Sequence, residues 1–449
     1  MKQRTLFGAG AAIAALAAIV TAQPASQAGS TAFVGVNVLT MEDEAVLADQ
    51  TVIVSQGTIT SIAPAAKAQI PAGAVRVEGK GKFLMPGLAE MHAHIPGRAA
   101  TDQAVERTLF LYVANGVTTI RGMLGDPRHL VHRERAAQGA ILSPLIYTSG
   151  PSFNAKTAAT IPMAVEAVTA QKAAGYDLLK IHPGVPRDVF DALAAKADEL
   201  KIPFAGHVPA AVGLMRALDA RYASIDHLDG YVEALTPNPA ADSQFFGTNL
   251  MGAVDESRIV SLVTASKAAG VWQVPTQVLM DNLLNDLPTP TLVARPEMKY
   301  AIPQESIKNW TAQREKFQQI PRADRAKLLA LRRRFIKALH DAGVPFALGS
   351  DAPQLWNVPG FSAHRELRSL VDAGLTPYQA LRTGTRNVAT YLKTESTTGT
   401  IAAGKRADLV LLDANPLTNI DNSTRIAGVM VNGRWMSRAA IDKRLAEGS

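Results

Sequence analysis

The chain predicts an α/β protein, a (β/α)8 barrel carrying a small β-sandwich domain built from both chain ends. Eight short apolar runs alternate with helical stretches through the middle of the chain, the pattern of βα repetition and a parallel sheet. Both ends read as short strands joined by turns. A length of 449 residues exceeds one small core and suits a barrel of about 250 residues or more plus an accessory domain.

Residues 1–22 have the layout of an export signal. Lys2 and Arg4 supply the positive start, 6–20 an apolar run, and Val20-Thr21-Ala22 a small-residue cleavage site. The run is shorter than the roughly 20 residues of a membrane span and rich in alanine and glycine, so cleavage after Ala22 is expected rather than anchoring. A periplasmic or secreted protein without stable membrane insertion follows.

The amino-terminal part of the small domain, 33–86, is expected to hold strands at 33–39, 50–55, 58–62 and 75–78, with a Gln56-Gly57 turn. Its carboxyl-terminal part, 393–440, is expected to hold strands at 408–413 and 426–431, then the hairpin turn Asn432-Gly433 into Arg434-Trp435-Met436. Neither set can close a core by itself, so the two are expected to meet.

Within the barrel region, 87–392, strands are predicted at 88–94, 118–123, 145–149, 178–181, 204–207, 224–227, 271–277 and 346–350. The stretch 280–302 breaks the rhythm with Pro288, Pro290 and Pro296, and Pro303 stands at its edge. It reads as an insertion on the active face, either a lid or a surface elaboration, with helix resuming near Glu305.

Composition narrows the chemistry. The chain has no cysteine, which excludes thiolate zinc fingers and iron–sulfur clusters and leaves histidine, carboxylate or an equivalent to bind any metal. Of the formal net charge of +7, two units reside on Lys2 and Arg4 and leave with the signal. Basic residues gather between 308 and 337, in Arg314, Lys316, Arg322, Arg325, Lys327 and Arg332-Arg333-Arg334. They mix with Glu315, Asp324 and apolar positions at helical spacing, which predicts a solvated helix face and no nucleic-acid partner.

Barrel active sites lie at the carboxyl ends of the strands. His92 and His94 share one side of the first strand, because side chains alternate with period two. Lys180 ends the fourth strand, His207 the fifth, His227 the sixth, and Asp351 follows the eighth. Any one of these has a structural reading; their joint placement points to a metal site. An ammonium at Lys180 would repel two divalent cations, but a neutral amine that adds carbon dioxide becomes a carbamate whose two oxygens can bridge them.

The chain resembles the metal-dependent amidohydrolase superfamily. The likeness runs through Met85-Pro86-Gly87-Leu88-Ala89-Glu90-Met91-His92-Ala93-His94, Gly116-Val117-Thr118-Thr119-Ile120-Arg121, Leu178-Leu179-Lys180-Ile181, Gly206-His207-Val208-Pro209, Ile225-Asp226-His227 and Leu348-Gly349-Ser350-Asp351. It continues through Thr385-Arg386-Asn387 and Gly399-Thr400-Ile401-Ala402-Ala403-Gly404 into Ala407-Asp408-Leu409-Val410. The motifs are most similar to the branch of imidazolonepropionase-related enzymes and exported Xaa-Pro or Xaa-Arg dipeptidases. This resemblance implies a TIM barrel with His92, His94 and Asp351 on one metal and His207 and His227 on a second. The same resemblance implies a carboxylated Lys180 and a hydroxide between them, with zinc the usual ion.

The implied reaction is hydrolysis by metal-activated hydroxide, with Asp351 moving the proton to the leaving nitrogen and His227 able to steady the oxyanion. Gly122 departs from relatives that carry an acid after the arginine, so Arg121 is a candidate for holding a substrate carboxylate, or else a barrel-wall arginine. Tyr231 is a further candidate for the tetrahedral intermediate, and Gln277, His364 and Arg365 for the substrate pocket. His182 has a structural reading, and His129, His132 and His340 read as helix-surface residues. The expected function is cleavage of amide or peptide C–N bonds in small substrates such as dipeptides or N-acyl amino acids. The alternatives are a lactonase or organophosphate hydrolase on the same centre and a non-catalytic binding protein. Self-association is left open.

Overall fold

The computed structural model describes residues 29–237, 244–301 and 304–447; the export signal read over 1–22 lies outside them. The described chain opens with β1 (Ser30–Leu39), β2 (Val46–Ser55) and β3 (Thr58–Pro64), an antiparallel run. Gln56 and Gly57 join β2 to β3 with φ of 50° and 75°, the left-handed pair that a tight two-residue hairpin requires. Next come β4 (Val75–Glu78) and β5 (Phe83–Pro86), both parallel to β1. The apolar run before the histidine pair is therefore a strand, which the sequence reading did not assign.

Seven parallel strands follow: β6 (Leu88–Ala93), β7 (Val117–Gly122), β8 (Leu145–Thr148), β9 (Leu179–Ile181), β10 (Phe204–Gly206), β11 (Ser224–Asp226) and β12 (Trp272–Val274). They form sheets β6-β7-β8 and β12-β11-β10-β9. The bridge Ser149↔Leu178 joins the two. Opposite it, the predicted eighth strand fills the gap as an extended segment. Phe346 bridges Gln273, Ala352 bridges Ala93, and Met91 N donates to Leu348 O at 2.7 Å. Eight parallel segments thus complete a curled, TIM-barrel-like ring. Every residue of β6 is buried, as expected where helices cover a parallel sheet. The seventh strand ends earlier than predicted, because Pro275 has no N–H to donate and Thr276 turns the chain at φ 46°.

The chain ends in β13 (Leu409–Leu412), β14 (Ile426–Val431) and β15 (Arg434–Ser437). β13 pairs with β5 from Leu409↔Pro86 to Leu412↔Phe83, so both chain ends share one eight-stranded sheet. Phe33 on β1 and Trp435 on β15 stand four strands apart in the order β15-β14-β13-β5-β1. A flat sheet would hold them roughly 19 Å apart. Their rings meet at 5.0 Å, so the sheet rolls over an apolar face that also buries Val52, Leu84, Leu409 and Met430.

The stretch 280–302 contains the helix Thr289–Val293 and the 3-10 turn Pro296–Tyr300, each with proline in its first turn, where a missing N–H costs nothing. The basic run after it departs from expectation. Arg314, Arg325 and Arg332 are buried; the first two serve carbonyls of the insertion, and Arg332 donates to His227 O (2.6 Å) and Pro275 O (2.9 Å) at the carboxyl end of the ring. Arg314 donates to Asn282 O (2.8 Å), Asn285 O (2.8 Å) and Leu287 O (2.7 Å), and Arg325 to Leu284 O (2.8 Å). Irregular backbone buried against a barrel needs donors, and these long side chains supply them. Among the described residues, no helix is long and apolar enough to cross a membrane.

Candidate metal centre

Six side chains converge at the carboxyl end of the ring. His92 lies on β6 and His94 one residue past it; the Nε2 atoms of both approach Asp351 Oδ1, at 3.4 and 2.6 Å. One donor atom from each of these three residues can be chosen so that all lie within 4.8 Å of one another. Lys180 Nζ stands 3.3 Å from His92 Nε2. The His227 ring lies 4.6 Å from that of His92 and stacks on that of His207 at 4.4 Å, while His227 Nδ1 is 3.9 Å from Asp351 Oδ2.

Local backbone delivers these groups. His227 and Asp351, each just past a strand end, adopt φ of 64° and 65°. Left-handed backbone at a non-glycine residue costs on the order of 1–3 kcal/mol and persists only where surrounding bonds over-determine it. Here they do: His227 N donates to Val274 O and Asp351 N to His92 O, both at 2.9 Å. Gly206 makes room for the lysine. With φ of 121°, a Cβ there would stand 2.6 Å from Ile181 O and 2.8 Å from Lys180 Cδ.

A second layer sets the rings. His92 Nδ1 lies 2.8 Å from Asp226 Oδ2, His207 Nδ1 2.6 Å from Asp229 Oδ2, and His227 Nδ1 2.7 Å from Thr276 Oγ1. The carboxylates only accept, so they favour an N–H at Nδ1 of His92 and His207 and leave Nε2 as the ligand atom, whereas the Thr276 hydroxyl orients the His227 ring. His227 Nε2 is buried with no hydrogen-bond partner, an orphaned lone pair of the kind a cation satisfies. Glu90 ties the first and eighth segments together, accepting from His92 N (3.2 Å), Ser350 N (2.6 Å) and Ser350 Oγ (2.7 Å). The sequence reading missed Asp226, Asp229, Thr276 and Glu90. A carboxylate within two residues of a candidate ligand was the available signal for the three acids.

The electrostatics suit cation binding. Burial, reinforced by Lys180, pushes His92 down to about 4, and burial with His207 holds His227 well below its ordinary value, so both rings are neutral ligands. Burial also lowers Lys180 and favours its free amine. At Asp351 burial opposes ionisation, but His92 and His94 outweigh it and keep the carboxyl well below the usual range. Arg121 and His92 do the same against burial at Asp226. Neutral rings at His92 and His227 beside an ionised Asp351 fit a divalent ion.

Four predicted substrate residues are not brought to this cluster. Arg121 is 1% exposed and turned inward, donating to Met91 O (2.6 Å), Tyr391 Oη (2.7 Å), Ser224 Oγ (3.0 Å) and Asp226. It braces the second layer and has no face toward a ligand. Tyr231 sits among outer helices, its hydroxyl 2.7 Å from Ser266 Oγ and its ring on Phe335. Gln277 is buried between Arg332 Nε (2.9 Å) and Asp281. His364 contacts Ser423 Oγ and Asn115 O, both at 2.9 Å, and together with Arg365 lines a different cavity. His129 and His132 are buried rather than on the surface, and the His182 ring lies 5.1 Å from that of His207.

The amidohydrolase family profile matches residues 83–436. The fold is similar to that of a putative prolidase from Bifidobacterium longum, at 24% identity and a TM-score of 0.68, covering 94% of this chain and 99% of that one. A Xaa-Pro dipeptidase with methionine bound in its active site aligns at 18% identity and a TM-score of 0.66, covering 91% of this chain and 100% of the other. Bottromycin amidohydrolase aligns at 22% identity and 0.69, covering 94% and 91%. No curated sequence matches this chain.

Proposed function

Because the chain belongs to the amidohydrolase family, we propose that it is an exported, metal-dependent hydrolase of amide or peptide C–N bonds in dipeptides or N-acyl amino acids. The observation that carries this reading is the convergence of His92, His94, Lys180, His207, His227 and Asp351 on one end of the ring, with the His92 and His227 rings held neutral and the Asp351 carboxylate held ionised. In this reading His92, His94 and Asp351 hold one divalent ion and His207 and His227 a second, with zinc suited to the donors. Bound ions supply a water acidic enough to act near neutral pH and polarise the scissile carbonyl.

The chain's own groups do the rest. Asp351 takes a proton from the attacking water and hands it to the departing nitrogen, which leaves only as the amine. Lys180, whose pKa burial lowers, adds carbon dioxide through its free-amine form: the lone pair forms the N–C bond, one C=O π pair moves onto oxygen, one proton is released, and a carbamate with one negative charge results. Asp226, Asp229 and Thr276 keep the three imidazoles in register while this happens. The small domain, read as a β-sandwich formed by the rolled sheet, anchors β5 directly before the strand that bears His92.

The dipeptidase assignment draws support from the prolidase and Xaa-Pro dipeptidase names of the proteins whose fold this chain shares. A panel of Xaa-Pro dipeptides, N-acyl amino acids and lactones tests it with the metal-loaded enzyme. Turnover of the first two classes is the expected result, and activity confined to lactones overturns the amide reading. The mass of the mature protein recovered from the periplasm or medium tests cleavage after Ala22.

A further inference from the structure

Outside the ring, a cavity of about 540 Å³ lies between the helix Phe361–Asp372, the turn Pro296–Tyr300 and the carboxyl-terminal helix Arg438–Glu447. That volume falls in the range of small-molecule sites. None of the six clustered residues lines it.

Its charges do not balance. Three cations of the wall are matched within the wall: Arg365 donates to Glu297 (2.8 Å), Arg368 to Asp421 (2.9 Å) and Arg438 to Asp442 (3.0 Å). The remaining acid, Asp281, is taken by Arg333 (3.0 Å) and Ser369 Oγ (2.7 Å). Arg295 and Lys299 are left over. The Arg295 Nη1 atom is buried without a hydrogen-bond partner, and among the described residues neither side chain has an acidic partner within ion-pair distance. Burial and the neighbouring Arg365 outweigh the attraction of Glu297 and bring the Arg295 guanidinium down to about 10. Next to them Tyr300 and Phe361 stack at 5.6 Å with planes 19° apart, and Lys299 lies 4.9 Å from the Tyr300 ring centre.

We propose that this cavity is a second binding site, separate from the metal cluster, for a small aromatic carboxylate. Arg295 and Lys299 take the carboxylate, and the Tyr300–Phe361 pair takes the apolar body. A half-buried guanidinium with one unpartnered nitrogen gains most from a planar two-oxygen anion that it can meet bidentately, which favours a carboxylate over a neutral ligand. The ring pair supplies an aromatic wall beside it.

Calorimetry on the full, metal-loaded chain with benzoate as the probe tests this, with benzamide as its neutral counterpart. One saturable benzoate site and no benzamide binding are expected. Arg295→Gln is expected to weaken benzoate about tenfold or more, the worth of a charge-assisted hydrogen bond. Lys299→Glu reads the same loss from an exposed position that does not threaten folding, and Asp351→Asn leaves the affinity unchanged. Equal affinity in Arg295→Gln and Lys299→Glu, equal binding of benzamide, or loss only in Asp351→Asn each overturns the proposal, the last by placing the anion at the metal cluster.

Discussion

His94 Nε2 and Asp351 Oδ1 lie 2.6 Å apart across 257 residues of sequence, and that contact closes the ring between its first and eighth segments at the point where chemistry is assigned. Asp351 is both ligand and proton carrier in this reading. Asp351→Asn keeps its shape and removes its charge, so kcat is expected to fall by about 10²- to 10⁴-fold. Steady-state kinetics with metal content measured on the same sample checks it, and a kcat within a few-fold of wild type at equal metal occupancy would remove Asp351 from the mechanism.

Asp226 holds a different kind of position, with His92 on one side and Arg121 on the other. Asp226→Asn leaves the Arg121 guanidinium buried without a counter-ion, at a cost of roughly 3–5 kcal/mol. It also frees the His92 ring, which lowers metal affinity by about 10- to 100-fold. Urea denaturation and competition against a chelator measure the two effects separately. Unchanged values in both would show that this carboxylate is dispensable.

Lys180 depends on the missing side chain of Gly206. In Gly206→Ala the new Cβ meets Ile181 O, a backbone atom that cannot give way, and enters a φ region that L-residues avoid. A loss of roughly 1–3 kcal/mol is expected from the backbone alone. In wild type, growth with ¹³C-bicarbonate is expected to give a carbamate carbon resonance that Lys180→Gln lacks. A spectrum identical in both proteins rules out the modification.

The legible part of this molecule was the part governed by period and topology. Strand alternation puts His92 and His94 on one side, and the rule that barrel sites lie at carboxyl ends selects Lys180, His207, His227 and Asp351 without any knowledge of distance. What failed was inference from nearness in sequence. Tyr231 follows His227 by four residues, but Leu228 at φ 55° and Gly230 at φ 83° turn the chain, and the ring ends among helices. Gln277 is carried off in the same way after Thr276. Arg314 and Arg325 have the spacing of a solvated face because periodicity cannot know that an insertion will lay its carbonyls across that face, and Arg332 is drawn onto the carbonyls of His227 and Pro275 at the end of the ring. The orienting groups Asp226, Asp229 and Thr276 were hidden because their role depends on which ring nitrogen they meet.

Glu366 gives a pH signature that is independent of any metal. Fully buried, it accepts from Gln277 N (3.0 Å) and Val278 N (2.7 Å), yet burial outweighs both bonds and raises its pKa from 4.5 to about 8. Between those values the unfolded chain has released the proton and the folded chain retains it, so folding takes up a proton and stability falls as pH rises. Below about 4.5 and above about 8 this contribution is flat. Glu366→Gln does not titrate, so its stability is expected to fall less steeply across that window, by up to about 1.4 kcal/mol per pH unit. Glu90, raised to about 8 by its own burial, acts in both proteins and largely cancels in the difference. Urea unfolding of the two proteins at several pH values within that window provides the comparison, and parallel curves would mean that Glu366 is already ionised in the native state.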